Sequence, residues 1–283
     1  MTERMVEVDG VELCTESFGD PADPPVLLVM GIGASMLWWE DGFCRMLARG
    51  GRFVIRYDHR DTGRSVTYEP GRPGYTGADL VDDAARVLDG YRLPAAHVAG
   101  VSAGGALAQL LALRHADRVL SLVLVSTSAA VPGDRELPPP TEEFLRFVTS
   151  GGAEPPDTEA VVAHRVAYAR MLAGGRRPFD EEAVRAVIRR EAERARSVAA
   201  ARNHELLADG DRPAAPLSSI AVPTLVIHGT ADPMFPLPHG RDLARRIPGA
   251  RLLTLTDAGH GIERADWPVV VPAVLGHQAG TGG

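Results

Sequence analysis

The chain has 283 residues, 45% hydrophobic and 24% charged, which fits one large folded α/β unit or two modest ones and excludes fibrous or low-complexity classes. Its net charge of −7 argues against a nucleic-acid or anionic-membrane partner, since both select a basic face. All 30 basic side chains are arginine, so lysine Schiff-base and P-loop chemistry are excluded, and Cys14 and Cys44 form neither a disulfide framework nor a metal-ligand spacing.

Residues 1–4 run into a strand-like segment with no apolar signal region, and no apolar run is long enough to cross a bilayer; the expectation is a cytoplasmic protein. Residues 5–8 and 11–17 alternate around Asp9-Gly10, a two-residue hairpin signal. Residues 26–30 form a continuous apolar run, as in a strand buried on both faces. A helix over 37–49, a strand over 53–57, a helix over 76–90 and a strand over 97–101 follow. Next come a helix over 103–115 and a strand over 119–126.

From Pro132 the texture changes. Pro138-Pro139-Pro140, Pro155-Pro156 and the prolines between 213 and 216 punctuate charged helical stretches without a strand. Strands resume over 224–228 and 251–256, each followed by a helix. This order predicts an α/β fold, a mostly parallel sheet with an inserted helical cap. The expected division is 1–132 and 217–278 as core, 133–216 as cap, and 279–283 as a disordered tail.

Gly100-Val101-Ser102-Ala103-Gly104 lies between a predicted strand and a predicted helix, the setting of a nucleophile elbow. The glycines suit a turn where backbone approaches backbone and a Cβ would clash. Two downstream segments give the motif its weight: His228-Gly229-Thr230-Ala231-Asp232 and Gly259-His260-Gly261. A serine hydroxyl needs a base to take its proton and a third group to hold that base in one tautomer. Ser102 is therefore expected as nucleophile, His260 as base and Asp232 as the acid that orients it. Asp257 is a rival acid, but on one tight loop with His260 its geometry is poor, and Thr127 and Ser128 offer no carboxylate after the 119–126 strand. The backbone N–H groups of Ile32 and Ala103 are the expected oxyanion hole.

Trp38, Phe144, Tyr168, Met171, Met234 and Phe235 are candidate substrate contacts; for the aromatic and methionine side chains of the insertion, a small core joining cap to sheet is an equal alternative. His228 is read as structural, holding the turn that presents Asp232. His59 is read as a turn residue, with the pocket rim as its alternative. His164, His204 and His239 are expected at the surface, and residues 58–65 as a self-bonded turn. A dinucleotide-binding outline around Gly31-x-Gly33 fails at Met36, where a third glycine is needed, and leaves Ser102, Asp232 and His260 unexplained. A binding protein that keeps the triad without turnover, and a lactonase or C–C hydrolase using the same triad, stay open as alternatives.

Essentially the whole chain resembles an α/β-hydrolase with a cap. The resemblance rests on Met30-Gly31-Ile32-Gly33, the stretch from Tyr57 to Ser65, the elbow, His228 to Pro233 and Gly259-His260-Gly261. Within that superfamily the chain is similar to actinobacterial methylesterases of anthracycline-type polyketides, through the start at Phe18-Gly19-Asp20-Pro21, Pro178-Phe179-Asp180 and the run from Glu191 to Ala195. The resemblance implies the same triad and a small-molecule ester substrate cleaved through an acyl-enzyme on Ser102, with no metal or organic cofactor. The chain shares the Met30-Gly31 turn with those methylesterases, where many superfamily members have His-Gly, and departs from the methylesterases at Ile32, which is glycine in them, and at Ala103, which is methionine. Those changes keep the backbone donors and alter the pocket's shape.

Overall fold

The structure is a computed structural model that describes residues 3–150, 158–211 and 213–279. β1 (Arg4–Val8) and β2 (Val11–Phe18) pair as the hairpin, with Val8 opposite Val11. Asp9 and Gly10 have φ of 53° and 75°, the two positive values that a tight primed turn requires.

β3 (Pro25–Val29), β4 (Phe53–Tyr57), β5 (Ala96–Val101), β6 (Val119–Val125), β7 (Thr224–Gly229) and β8 (Arg251–Leu255) complete an eight-stranded sheet of order β1-β2-β4-β3-β5-β6-β7-β8. All pairings from β4 to β8 are parallel, and β2 joins β4 antiparallel. Side chains alternate between two apolar layers, as a strand period of two dictates. Leu27, Val29, Val98, Leu122 and Leu124 face one layer; Val26, Leu28, Ala99, Val123 and Val125 face the other.

The first layer is closed by α2 (Gly77–Gly90), α3 (Ala103–Arg114) and α7 (Pro238–Arg246); the second by α1 (Asp41–Arg49) and α8 (Trp267–Ala279). A capping box starts α2: the Thr76 hydroxyl accepts from the Asp79 amide, and the Asp79 carboxylate accepts from the Thr76 amide. The helix expected over 37–49 is two pieces, a 3₁₀ turn at Met36–Trp38 and then α1. The break has a cause. Trp39 leaves helical geometry (φ −80°, ψ 82°), and its carbonyl accepts from the buried Arg56 guanidinium and from Cys44 Sγ.

Between β6 and β7 the described residues include no strand; their helices are α4 (Glu142–Ser150), α5 (Thr158–Leu172), α6 (Glu181–Arg194) and 3₁₀ stretches at Ala199–Leu206 and Leu217–Ser219. Val162, Val166 and Ile188 pack between α5 and α6. Pro155-Pro156 lies outside the described residues, as does the expected tail apart from Ala279, which ends α8. No helix among the described residues is long and apolar enough to cross a membrane.

Candidate active site

Ser102 stands alone between β5 and α3, with φ 56° and ψ −127°. A side chain held there costs about 1–3 kcal/mol and persists only where its surroundings enforce it. The enforcement is visible. The Ser102 amide donates to the Val125 carbonyl at 3.0 Å. A Cβ on Gly100 would lie 2.2 Å from the Gly104 carbonyl oxygen, and one on Gly104 would lie 2.3 Å from that of Val29. The two glycines therefore permit close approach, while the strain falls on the serine itself.

Asp232 follows β7 and is buried. Its Oδ1 accepts from the Met234 and Phe235 amides, both at 2.9 Å, and its Oδ2 accepts from His260 Nδ1–H at 2.9 Å. With Nδ1 donating, His260 Nε2 carries the free lone pair that a general base needs. His228 Nε2–H donates to the Phe235 carbonyl at 2.7 Å, which pins the turn presenting Asp232; burial pushes the His228 pKa below the ordinary histidine value. Asp257 is exposed, so the rival acid is not part of this arrangement.

Three further contacts hold the His260 loop. Its amide donates to the Leu172 carbonyl at the end of α5 at 2.7 Å, the Gly261 amide donates to Ser126 Oγ at 2.9 Å, and the Phe235 ring lies 5.7 Å from the imidazole. Ser126 is itself held at φ 43° after β6. Ser102, Ser126, Asp232 and His260 thus follow β5, β6, β7 and β8, four neighbouring strands, at their carboxyl ends. Among the described residues no hydrogen bond joins Ser102 Oγ to His260; in apo hydrolases the nucleophile–base bond often forms only with substrate in place.

The turn after β3 lies against the elbow: a Cβ on Gly31 would be 3.4 Å from Ser102 Cβ. Among the described residues no acceptor takes the Ile32 or Ala103 amide, which leaves both as donors.

The candidate substrate contacts separate. Phe235 is beside His260. Phe144 is 4% exposed, its ring 6.0 Å from that of Tyr168, and Met171 and Met234 are half-buried. Trp38 instead packs on Val162, Val166 and Ile188, joining the sheet to the insertion.

His204 and His239 are buried rather than at the surface. His239 bonds Ser128 Oγ and the Pro138 carbonyl; His204 bonds the Gly33 amide and the Arg60 carbonyl. His59 is fully buried and donates to the Met30 carbonyl, so the rim alternative does not apply. The 58–65 stretch is more than a self-bonded turn. Asp58 accepts from the Met36 and Arg64 amides and pairs with Arg194 of α6 at 2.6 Å, while Asp61 accepts from Tyr75 and Asn203. Burial raises the Asp58 pKa against the opposing pull of Arg194.

The roles of Ser126, Leu172 and His204 carry no sequence signal. Their partners lie 135, 88 and 171 positions away, as Gly261 − Ser126, His260 − Leu172 and His204 − Gly33. Among the described residues no group of three or more His, Cys, Asp or Glu side chains could hold a metal ion.

A family profile described as alpha/beta hydrolase fold matches residues 24–262. Rhodomycin D methylesterase DnrP of Streptomyces peucetius is 36% identical, over 98% of each chain, and rhodomycin D methylesterase DauP of Streptomyces sp. (strain C5) matches to the same extent. Among solved structures, the enol-lactonase of Burkholderia xenovorans LB400 superposes with a TM-score of 0.72 at 27% identity, over 98% of this chain and all of that one. The esterase RhEst1 of Rhodococcus sp. ECU1013 superposes with a TM-score of 0.78 at 24% identity over the full length of both, a likeness of fold.

Proposed function

The chain belongs to the alpha/beta hydrolase fold family, and on that footing we propose that it is a serine esterase that cleaves a carboxylic methyl ester borne by a polyketide-type molecule. The observation that carries the chemistry is the His260–Asp232 hydrogen bond of 2.9 Å at the same sheet end as a serine held at φ 56°. The substrate class rests on the full-length similarity to the two rhodomycin D methylesterases.

His260 Nε2 takes the Ser102 proton as Oγ attacks the ester carbonyl. The oxyanion that forms is met by the Ile32 and Ala103 amides, donors of a kind whose removal typically costs ~2.7–4 kcal/mol of transition-state stabilisation. The developing imidazolium is stabilised by Asp232, which is fixed by the Met234 and Phe235 amides and does not have to move. His260 then gives the proton to the departing methoxide oxygen, which leaves as methanol. Water, deprotonated by the same ring, hydrolyses the acyl-enzyme and restores Ser102.

Residues 133–216 act as the cap in this reading, and Phe144, Tyr168 and Met171 of α4 and α5, with Met234 and Phe235 after β7, are its candidate substrate contacts. The test is release of methanol and of the free acid from a panel of aromatic polyketide methyl esters. Stoichiometric methanol and acid from a member of the panel supports the assignment. Hydrolysis of p-nitrophenyl esters without any methyl-ester turnover would retain the serine esterase and overturn the substrate class.

A further inference from the structure

The proposed oxyanion donor, the Ile32 N–H, belongs to the Gly31–Ile32 peptide, which packs on the elbow at Gly31 and faces outward at Ile32. The Ile32 side chain is 44% exposed. A Cβ added at Gly33, at φ +75°, would meet only the Ala201 carbonyl oxygen, in ordinary contact at 3.9 Å. The peptides on either side of the Gly31–Ile32 peptide are each held by a buried imidazole. On one side, His59 Nε2–H donates to the Met30 carbonyl at 2.8 Å, orienting the Met30–Gly31 peptide. On the other, the Gly33 N–H donates to His204 Nδ1 at 2.7 Å, orienting the Ile32–Gly33 peptide.

Chemistry settles both tautomers, because a peptide N–H only donates and a carbonyl only accepts. His204 Nε2–H donates to the Arg60 carbonyl at 2.8 Å, so its Nδ1 is the bare acceptor that Gly33 needs. The buried Nδ1 of His59 has no partner, as suits a lone pair rather than a proton. The two rings meet edge to face at 6.0 Å, and the Tyr75 ring meets His204 edge-on at 6.3 Å. Burial pushes both pKa values down, that of His204 to about 4, so the rings are neutral where an esterase works. Two residues on, the Ser35 amide donates to Glu191 Oε1 of α6 at 2.6 Å, and Arg165 of α5 holds the other Glu191 oxygen at 3.0 Å.

Resting on the esterase reading above, we propose that His59 and His204 are positioning residues that clamp the peptides on either side of the Ile32 amide and aim it at the oxyanion. His204 comes from the 3₁₀ stretch that follows α6, so the helical insertion supplies part of the oxyanion machinery as well as covering the substrate.

The test compares His204→Ala, His204→Asn and His204→Gln by kcat and KM on p-nitrophenyl butyrate, with unfolding midpoints for each and Ser102→Ala as control. Asparagine places a carbonyl oxygen near the Nδ1 position and can still accept from Gly33, whereas glutamine reaches toward the Nε2 position and cannot. The expected result is a kcat about tenfold or more below wild type for His204→Ala with KM within about twofold. That is a fraction of the 10²–10³ lost when an oxyanion donor is removed outright. His204→Asn recovers most of the loss and His204→Gln does not. A ring that only fills space predicts equal losses for Asn and Gln, and that equality overturns the proposal, as does wild-type kcat in all three. If His204→Ala does not fold, the Asn-against-Gln comparison decides alone. Hydrolysis abolished in Ser102→Ala beside unchanged His204 variants removes the clamp and keeps the esterase; hydrolysis retained in Ser102→Ala removes both.

Discussion

Gly104→Ala and Gly276→Ala place the same methyl group in two helices and should have opposite outcomes. Neither glycine has a positive φ, so in each case alanine gains about 1 kcal/mol of helix propensity. A Cβ on Gly276, on the exposed side of α8, meets nothing within 4 Å, so that gain is kept. A Cβ on Gly104 lies 2.3 Å from the Val29 carbonyl oxygen and 2.5 Å from that of Met30, where ordinary contact begins at 3.4 Å. Both are backbone atoms of the strand and turn that carry the proposed oxyanion donor, so α3 or the turn must give way by about 1 Å. Overpacking of this kind costs about 1–3 kcal/mol, which outweighs the propensity gain. Displacing the turn relative to Ser102 should also lower kcat by about 10²-fold, as misplacement on that scale does. Urea unfolding and p-nitrophenyl butyrate kinetics read both effects. Gly104→Ala with wild-type stability and wild-type kcat would refute the contact between elbow and oxyanion turn.

Three other substitutions follow from the same geometry. Asp232→Asn keeps the acceptor for the Met234 and Phe235 amides but can stabilise the wrong tautomer of His260, so kcat should fall by about 10³–10⁴ with the unfolding midpoint little changed. Ser126→Ala removes the acceptor of the Gly261 amide, and a loss of about 1 kcal/mol in stability with a several-fold fall in kcat is expected from calorimetry and kinetics. The pKa of His204 is lowered by burial from 6.5 to about 4, so the unfolded chain binds its proton first and the stabilisation, complete above pH 6.5, is lost as pH falls toward 4. His97, His228 and His277 shift in the same direction, so the test is a difference: the gap in unfolding free energy between wild type and His204→Asn should narrow by up to about 3 kcal/mol between pH 7 and pH 4. A gap independent of pH contradicts a buried neutral ring.

What was legible in the sequence is what local chemistry encodes. Asp9-Gly10 marks the hairpin because only such residues tolerate two positive φ values, and the apolar runs mark strands because both their faces are buried. Gly100 and Gly104 mark the elbow because the backbone around them leaves no room for a Cβ. The break at Trp39 was not legible, since it depends on the Arg56 guanidinium arriving from β4 to take the Trp39 carbonyl. His204 reads as a polar surface residue in an arginine- and glutamate-rich segment. Its burial depends on Gly33 and Arg60, far away in sequence, each supplying a backbone partner. Trp38 looks like a pocket aromatic for the same reason: its partners Val162, Val166 and Ile188 belong to the insertion.

In the proposed mechanism Ser102, activated by His260, forms the acyl-enzyme. Its most direct measurement is intact-protein mass spectrometry after brief exposure to a p-nitrophenyl ester, with peptide mapping, on wild type, Ser102→Ala and His260→Ala. The expected result is one acyl group per chain, located on Ser102 in wild type, and none in either variant, with p-nitrophenol release abolished alongside. An acyl group found elsewhere, or release that persists in Ser102→Ala, would contradict it.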